Sequence, residues 1–325
     1  MNKCRRLSIQ AMALATALGF TSLIQAQTVF PNRPVKILIQ TAAGGNSDLL
    51  ARAIADKLTA AWGQQVIVEQ RIGANGIIAT QALTKAPPDG HTLFMSLSSM
   101  VQNLLLQPSP GYKIDDVQPV GMVSVFPIAM ATNTQTGINN LEDLVKMARE
   151  KPGTLSFGSY GTGSGGHLIG AGLNKAANTQ MIHVAYKGEA ASFPDLASGQ
   201  LTVALGSVGF YTPHVNAGKI RMLAVASPQR LSRFPNLPTF AELGYPGINL
   251  PGWAGMFLPA GTPASIVNKI SLDIRTVLAM PDIQARMAGF GFEPVGNSPD
   301  EFAQQIKTEL TRWGAVIREN NIKLE

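Results

Sequence analysis

Cysteine, histidine and charge are scarce in this 325-residue chain, and each shortage argues against a class of function. The only cysteine is Cys4, which precedes an apolar stretch, so a mature chain starting after that stretch has no disulfide or thiol chemistry. The four histidines (His91, His167, His183 and His214) make no metal-binding spacing. Charged residues form 14% of the chain without a long basic run, which argues against nucleic-acid binding.

Recognisable catalytic motifs are also missing. No Gly-x-Ser-x-Gly nucleophile elbow occurs. Gly161, Gly163 and Gly166 fit a dinucleotide fingerprint, but the match is weak because it lies mid-chain and only Glu189 stands near the expected acidic position. We therefore predict no catalytic residue, no metal and no cofactor.

The N-terminus carries an export signal. Lys3, Arg5 and Arg6 precede an apolar stretch over 7–24, and Ala26 is a small residue suited to cleavage. We predict a signal peptide over 1–26; the alternative is an amphipathic N-terminal helix. Removing the three basic residues from the formal charge of +6 leaves +3.

Strands alternate with helices along the chain. Strands are predicted at 35–40, 65–69, 92–97, 154–158, 201–205 and 220–226, with one more ending at Tyr186, and 227–252 is a connection rich in proline and glycine. Helical spacing such as Leu50, Ile54 and Leu58 follows the first strand. This alternation predicts an α/β fold with mainly parallel sheets.

Two small-residue turns join a strand to a helix, at 41–48 and at 158–167. Such turns leave backbone N–H groups free at a helix N-terminus, where anions bind. Neither turn contains lysine or arginine, so neutral donors would hold the anion. Ordinary tight βα connections are an equally good interpretation. His167 either lines a cleft or makes a local hydrogen bond, and His183 is interpreted as structural.

Seven segments in register resemble the substrate-binding proteins of tripartite tricarboxylate transporters, the Bordetella uptake (Bug) receptors. They cover nearly the whole mature chain and lie at 42–48, 87–93, 158–167, 183–188, 217–225, 237–247 and 259–263. The resemblance implies a two-domain periplasmic-binding-protein fold of type II, a Venus flytrap with a ligand cleft and two crossover strands. Domain 1 would comprise 27–127 and 252–325, and domain 2 would comprise 128–251.

The resemblance also implies a ligand and a site. The family binds carboxylated solutes, with one carboxylate on the domain 2 loops and the far end reaching domain 1 through ordered water. The expected ligand-binding residues are Ala42, Ala43, Gly44, Ser98, Ser159, Tyr160, Gly161, Thr162, Gly163, Ser164, Gly188, Gly206 and Ser207.

Two positions depart from the family pattern. Gly206-Ser207 stands where an aspartate is usual, and His91 stands where tyrosine is usual. Without that aspartate we expect a ligand lacking positive charge: a dicarboxylate, a hydroxy acid or an aromatic carboxylate. In the alternative interpretation, Glu189 or Asp195 supplies the missing charge.

These observations predict a binding protein rather than an enzyme. We expect a monomer in the periplasm that passes a small carboxylate to the membrane subunits of a tripartite transporter. An exported hydrolase acting on a carboxylate ester and a ligand-presenting sensor module are the alternatives.

Overall fold

The computed structural model describes residues 30–319, so the predicted signal peptide over 1–26 and Cys4 lie outside the described residues. In chain order the elements are β1 (Val35–Ile39), α1 (Asn46–Trp62), β2 (Val66–Gln70), α2 (Ile77–Thr84), β3 (Thr92–Leu97), α3 (Ser99–Leu106), β4 (Val117–Phe126), β5 (Ile128–Asn133), α4 (Leu141–Glu150), β6 (Ser156–Ser159), α5 (Gly165–Ala177), β7 (Ile182–Ala185), α6 (Glu189–Ser198), β8 (Val203–Ser207), α7 (Val208–Asn216), β9 (Ile220–Ala226), β10 (Gly252–Pro259), α8 (Ala264–Leu278), α9 (Pro281–Gly289), β11 (Glu293–Pro294) and α10 (Pro299–Glu319).

The strands form two sheets, which confirms the predicted α/β class, but both sheets are mixed rather than mainly parallel, because β4, β5 and β10 run antiparallel to their neighbours. The first sheet has the order β11-β4-β10-β3-β1-β2, and the second has the order β7-β6-β8-β5-β9. In the first, β1 pairs in parallel with β2 and β3, while β10 runs antiparallel to β3 and β4. In the second, β6 pairs in parallel with β7 and β8, while β5 runs antiparallel to β8 and β9.

The chain passes between the sheets twice. Pro127 separates β4 of the first sheet from β5 of the second, and 227–251 leads back from β9 to β10. No strand was predicted at β4, β5 or β10. Every residue of β5 and β10 is buried, so these strands lack the apolar–polar alternation that reveals a half-exposed strand.

Side-chain caps fix the starts of two helices. The Asn140 side chain accepts a hydrogen bond from the Asp143 backbone N–H at 2.8 Å and so caps α4. Ser298 and Glu301 form a reciprocal cap of α10, because each side chain accepts a hydrogen bond from the other's backbone N–H. Within residues 30–319, no helix has the length and apolar character needed to cross a membrane.

Candidate functional site

A cavity of about 570 Å³ lies between the two sheets. Its first wall comes from the segments after β1, β2 and β3, together with Phe126 and Phe292. Its second wall comes from the segments after β6, β7 and β8. Ligands of open α/β sheets bind at the carboxyl ends of the strands, so the cavity has the expected location for a binding site.

The 41–48 turn opens toward the cavity. Helix α1 begins after Gly45, and no side chain caps its first N–H groups. Asp48 bends back within the turn, where its carboxylate accepts hydrogen bonds from the Gly44 N–H at 3.0 Å and from Arg52. Asn46 and Ser47 line the cavity, so the positive end of the helix dipole faces it.

The segment after β3 adds a second uncapped helix start. Ser98 and Ser99 line the cavity, and no side chain caps α3. Gln40 fixes this segment by donating to Ser99 Oγ at 2.7 Å. The hydroxyl of Thr41, which also lines the cavity, is buried without a hydrogen-bond partner among the described residues.

The 158–167 turn, by contrast, is closed on itself. Ser164 Oγ caps α5 by accepting from the His167 N–H at 3.3 Å, and Tyr160 Oη accepts from the Gly166 N–H at 3.0 Å. The Gly163 N–H donates to His167 Nδ1 at 3.0 Å. Side chains of the turn therefore accept from the N–H groups of Gly163, Gly166 and His167, while Gly165 at the start of α5 lines the cavity.

Beneath that turn lie two histidines, His167, which is buried, and His183, which is half-buried. The rings of His167 and His183 stack with their centroids 3.9 Å apart, and His183 Nε2 bonds Ser159 Oγ at 2.8 Å. Burial lowers the pKa of each imidazole to about 4. His167 thus makes the local hydrogen bond of the two interpretations left open, and His183 is structural as expected.

The uncapped helix start of the second wall is that of α6. Gly188 precedes this helix with φ of 112° and no capping side chain, and a Cβ there would meet no atom within 4 Å. Lys187, Gly188 and Glu189 all line the cavity. These three residues bring the uncapped start of α6 to the second wall of the cavity.

Gly206 does not enlarge the cavity. A Cβ at Gly206 would lie 2.9 Å from Tyr211 Oη and 3.1 Å from Glu189 Oε2, so those side chains fill the space. The Glu189 carboxylate accepts hydrogen bonds from Ser207 N at 2.7 Å and Ser207 Oγ at 2.9 Å. Glu189 therefore places a carboxylate beside Gly206, as the alternative interpretation supposed.

The other sequence signals lie away from the cavity. Asp195, the second candidate for the missing charge, accepts from Tyr186 Oη at 2.7 Å. His91 bonds its neighbour Asp89 and packs edge-on against Phe30. Neither Asp195 nor His91 lines the cavity.

Of the thirteen predicted site residues, the structure brings seven to the cavity. These are Ala42, Ala43, Ser98, Tyr160, Gly161, Gly188 and Ser207. The other six lie beside or beneath the lining: Gly44, Ser159, Thr162, Gly163, Ser164 and Gly206. Ser159 and Ser164 are fully buried, whereas Thr162 is exposed.

Sequence reasoning missed one cavity segment altogether. Residues 73–76 follow β2, and all four have positive φ, including 44° at Ala74 and 51° at Asn75. A Cβ at Gly161 would lie 3.3 Å from Asn75 Oδ1, so this segment approaches the second wall. The signal was the Gly-Ala-Asn-Gly run directly after a strand, a composition typical of unusual turns.

Comparison with known proteins assigns the chain to a family. The sequence profile described as "Tripartite tricarboxylate transporter family receptor" matches residues 50–322. The chain belongs to this family. It is 33% identical to Protein BugT of Bordetella pertussis over 328 residues, covering all of both chains.

Solved structures agree with that membership. The periplasmic binding protein BugD superposes with a TM-score of 0.85 at 29% identity, covering 91% of this chain and 100% of that one. A protein of R. palustris, Rpa4515 with adipate, superposes with a TM-score of 0.85 at 30% identity, covering 90% and 99%. The family assignment and the periplasmic-binding-protein fold are thus confirmed, and the relatives are binding proteins and receptors rather than enzymes.

Proposed function

We propose that this protein captures a small carboxylated solute in the cavity between its sheets and delivers it to the membrane subunits of a tripartite transporter. The observation that carries the proposal is the convergence of three uncapped helix starts, those of α1, α3 and α6, on one cavity. Free N–H groups and the helix dipole at such ends favour an anion. The volume of about 570 Å³ suits a small molecule.

The proposed mechanism is closure of a cleft between two domains. Domain 1 comprises 27–127 with 252–325 and domain 2 comprises 128–251, each built on one sheet. Gly209 of α7 contacts the backbone of Phe290 and Gly291 across the cleft. Ligand contacts made by both walls exist only when these surfaces meet, so a ligand shifts the equilibrium toward the closed form.

Location follows from the same proposal. The signal peptide predicted over 1–26 would export the chain, and the related BugD is a periplasmic binding protein. A membrane transporter for small acids needs its receptor on that side. We therefore propose the periplasm as the site of capture.

The Ser159–His183 pair does not favour hydrolysis. Ser159 Oγ lies 2.8 Å from His183 Nε2, the distance expected of a nucleophile and its base. Ser159 is nevertheless fully buried and also donates to the Gly161 carbonyl at 3.0 Å. A substrate in the cavity does not reach that oxygen, so the pair is structural.

Two measurements test the proposed function. Native mass spectrometry of the purified protein, followed by identification of the released molecule, should find a small carboxylate recovered unchanged. On ligand-free protein, that acid at about 100 times its dissociation constant should add about 2.7 kcal/mol to the free energy of unfolding. If no carboxylate binds ligand-free protein in a broad thermal-shift screen, the proposal is wrong.

A further inference from the structure

Glu189 is the feature of the cavity that anion capture leaves unexplained. Glu189 lines the cavity beside Ser207, from which its carboxylate accepts two hydrogen bonds, yet no cation pairs with this carboxylate among the described residues. Burial raises the pKa of this carboxyl to about 7, against the opposing effect of the Ser207 hydrogen bonds. A carboxylate held away from water without a countercharge is costly, and a ligand can remove that cost.

The neighbours of Glu189 do not neutralise it. Ser207 of β8 and Gly206 are neutral, and the buried Tyr211 hydroxyl of α7 has no hydrogen-bond partner among the described residues. Tyr160 of the 158–167 turn is also neutral, because burial raises its pKa well above the usual range. Lys187 lines the same cavity on an exposed side chain and forms no ion pair with Glu189.

We propose that Glu189 is the specificity-determining residue of the cavity and selects a ligand that carries an ammonium group as well as a carboxylate. The second wall is complementary to such a zwitterion. Lys187 and the uncapped start of α6 suit the carboxylate, and Glu189, two residues after Lys187, suits the ammonium group. The inference rests on the proposed function and narrows the class of captured solute to aminated acids.

The same geometry weakens the binding of acids without an amine. A carboxylate bound at this wall is repelled by ionised Glu189, so such an acid binds together with a proton taken up by Glu189. Its affinity therefore rises as the pH falls through the range in which Glu189 titrates. An aminated acid keeps Glu189 ionised and does not need that proton.

Titration calorimetry on ligand-free protein at pH 8 tests the inference with matched acids: aspartate and succinate, glutamate and glutarate, γ-aminobutyrate and butyrate. In any pair that binds, the aminated member should bind at least about tenfold more tightly, as expected for a charged hydrogen bond. Glu189→Gln should reduce this preference below about threefold. Glu150→Gln, which removes the same charge from an exposed helix end, should retain it.

A second readout is the pH dependence of the acids without an amine. Their affinity for the wild-type protein should rise at least threefold from pH 8 to pH 5.5, and Glu189→Gln should lose this rise. Circular dichroism and thermal unfolding show whether Glu189→Gln folds. If it does not fold, Glu189→Asp is measured in its place, because this variant keeps the charge but moves it.

The outcomes separate the two proposals. Carboxylates that bind without preference for the amine, or a preference that survives in Glu189→Gln, overturn the role of Glu189 and leave carboxylate capture standing. If no acid of either kind binds, both proposals are wrong.

Discussion

The 41–48 turn and the 158–167 turn have the same plan in sequence and opposite roles in the structure. Each follows a parallel strand, is rich in small residues and opens a helix. In the first, no side chain caps α1, and Asn46 and Ser47 line the cavity. In the second, Ser164, Tyr160 and His167 take up the backbone donors.

The contrast shows that glycine content does not make an anion site. Glycine permits close approach of a ligand, but a site also needs donors that no nearby side chain already uses. The turn with more glycine is the one whose own side chains accept from three of its N–H groups. The anion site that we propose for the second wall is the start of α6, where Gly188 is the cap residue.

Blocking closure should have the largest effect, because it separates the two turns. A Cβ at Gly209 would overlap the Phe290 carbonyl oxygen, a backbone atom that cannot move aside cheaply. Gly209→Ala should hold the cleft open and weaken ligand binding by at least about 100-fold, or about 2.7 kcal/mol, measured by calorimetry. Small-angle scattering should show no compaction on adding ligand.

The matched control for this variant is Gly247→Ala, where a Cβ meets nothing within 4 Å and φ is not positive. It should bind ligand normally. Unchanged affinity in Gly209→Ala would show that this contact is not needed for capture.

Acid should destabilise the closed turn. The pKa of His167 and of His183 lies near 4 in the folded protein, below the usual 6.5, so the unfolded chain binds protons more readily between those values. Stability from the neutral pair is complete above about pH 6.5 and falls as the pH drops toward 4, by about 3 kcal/mol in total. Solvent access to His183 keeps the loss below the full value of two such shifts.

The measurement compares unfolding of the Glu189→Gln protein with that of the Glu189→Gln/His183→Asn double variant at pH 7 and pH 4.5. Glu189 is removed because its raised pKa makes stability fall as pH rises from 4.5 to 7, the opposite sign. The stability advantage of the protein that retains His183 should shrink at pH 4.5. If this advantage is the same at both pH values, the pKa of His183 is not lowered in the folded protein.

The open turn should be sensitive to bulk. Gly45 has an extended backbone with φ of −76°, and its nearest neighbour to a new Cβ is the Ala42 carbonyl oxygen at 3.7 Å, so a side chain fits without strain. Gly45→Val should project into the cavity and weaken binding about tenfold, or about 1.4 kcal/mol, with little change in thermal stability. Calorimetry and thermal unfolding give both quantities; a stable variant with wild-type affinity would place the ligand elsewhere.

Parts of the fold and of the cavity can be predicted from the sequence. Leu50, Ile54 and Leu58 predict α1 because one buried face repeats every four residues, and the structure buries all three. The resemblance supplies the cavity segments at Ala42 and Gly188. It does not supply the state of each N–H group, because that depends on rotamers and on contacts within the folded turn.

Sequence alone also does not show when a side chain from a distant position occupies the space beside a glycine. Gly206 suggested a missing charge, whereas Glu189, seventeen positions earlier, occupies the same place in space and bonds Ser207. Whether a glycine opens a cavity or admits a neighbour depends on which side chain the sheet brings next to it. The register of β8 and the start of α6 decide whether a charge is absent at Gly206 or supplied by Glu189.

The smallest effect should come from removing the cap that closes the second turn. Ser164 Oγ accepts from the His167 N–H at 3.3 Å and is fully buried, and Ser164 does not line the cavity. Ser164→Ala leaves that N–H without its acceptor and should cost about 1 kcal/mol of stability, measured by denaturant unfolding. Affinity should stay within about threefold of wild type, since Gly188 and the α6 start are untouched.

Ser298→Ala, the equivalent cap of α10 far from the cavity, is the control and should lose similar stability. A loss of binding in Ser164→Ala much greater than in Ser298→Ala would mean that the 158–167 turn contacts the ligand directly, and the distinction between an open and a closed turn would be wrong.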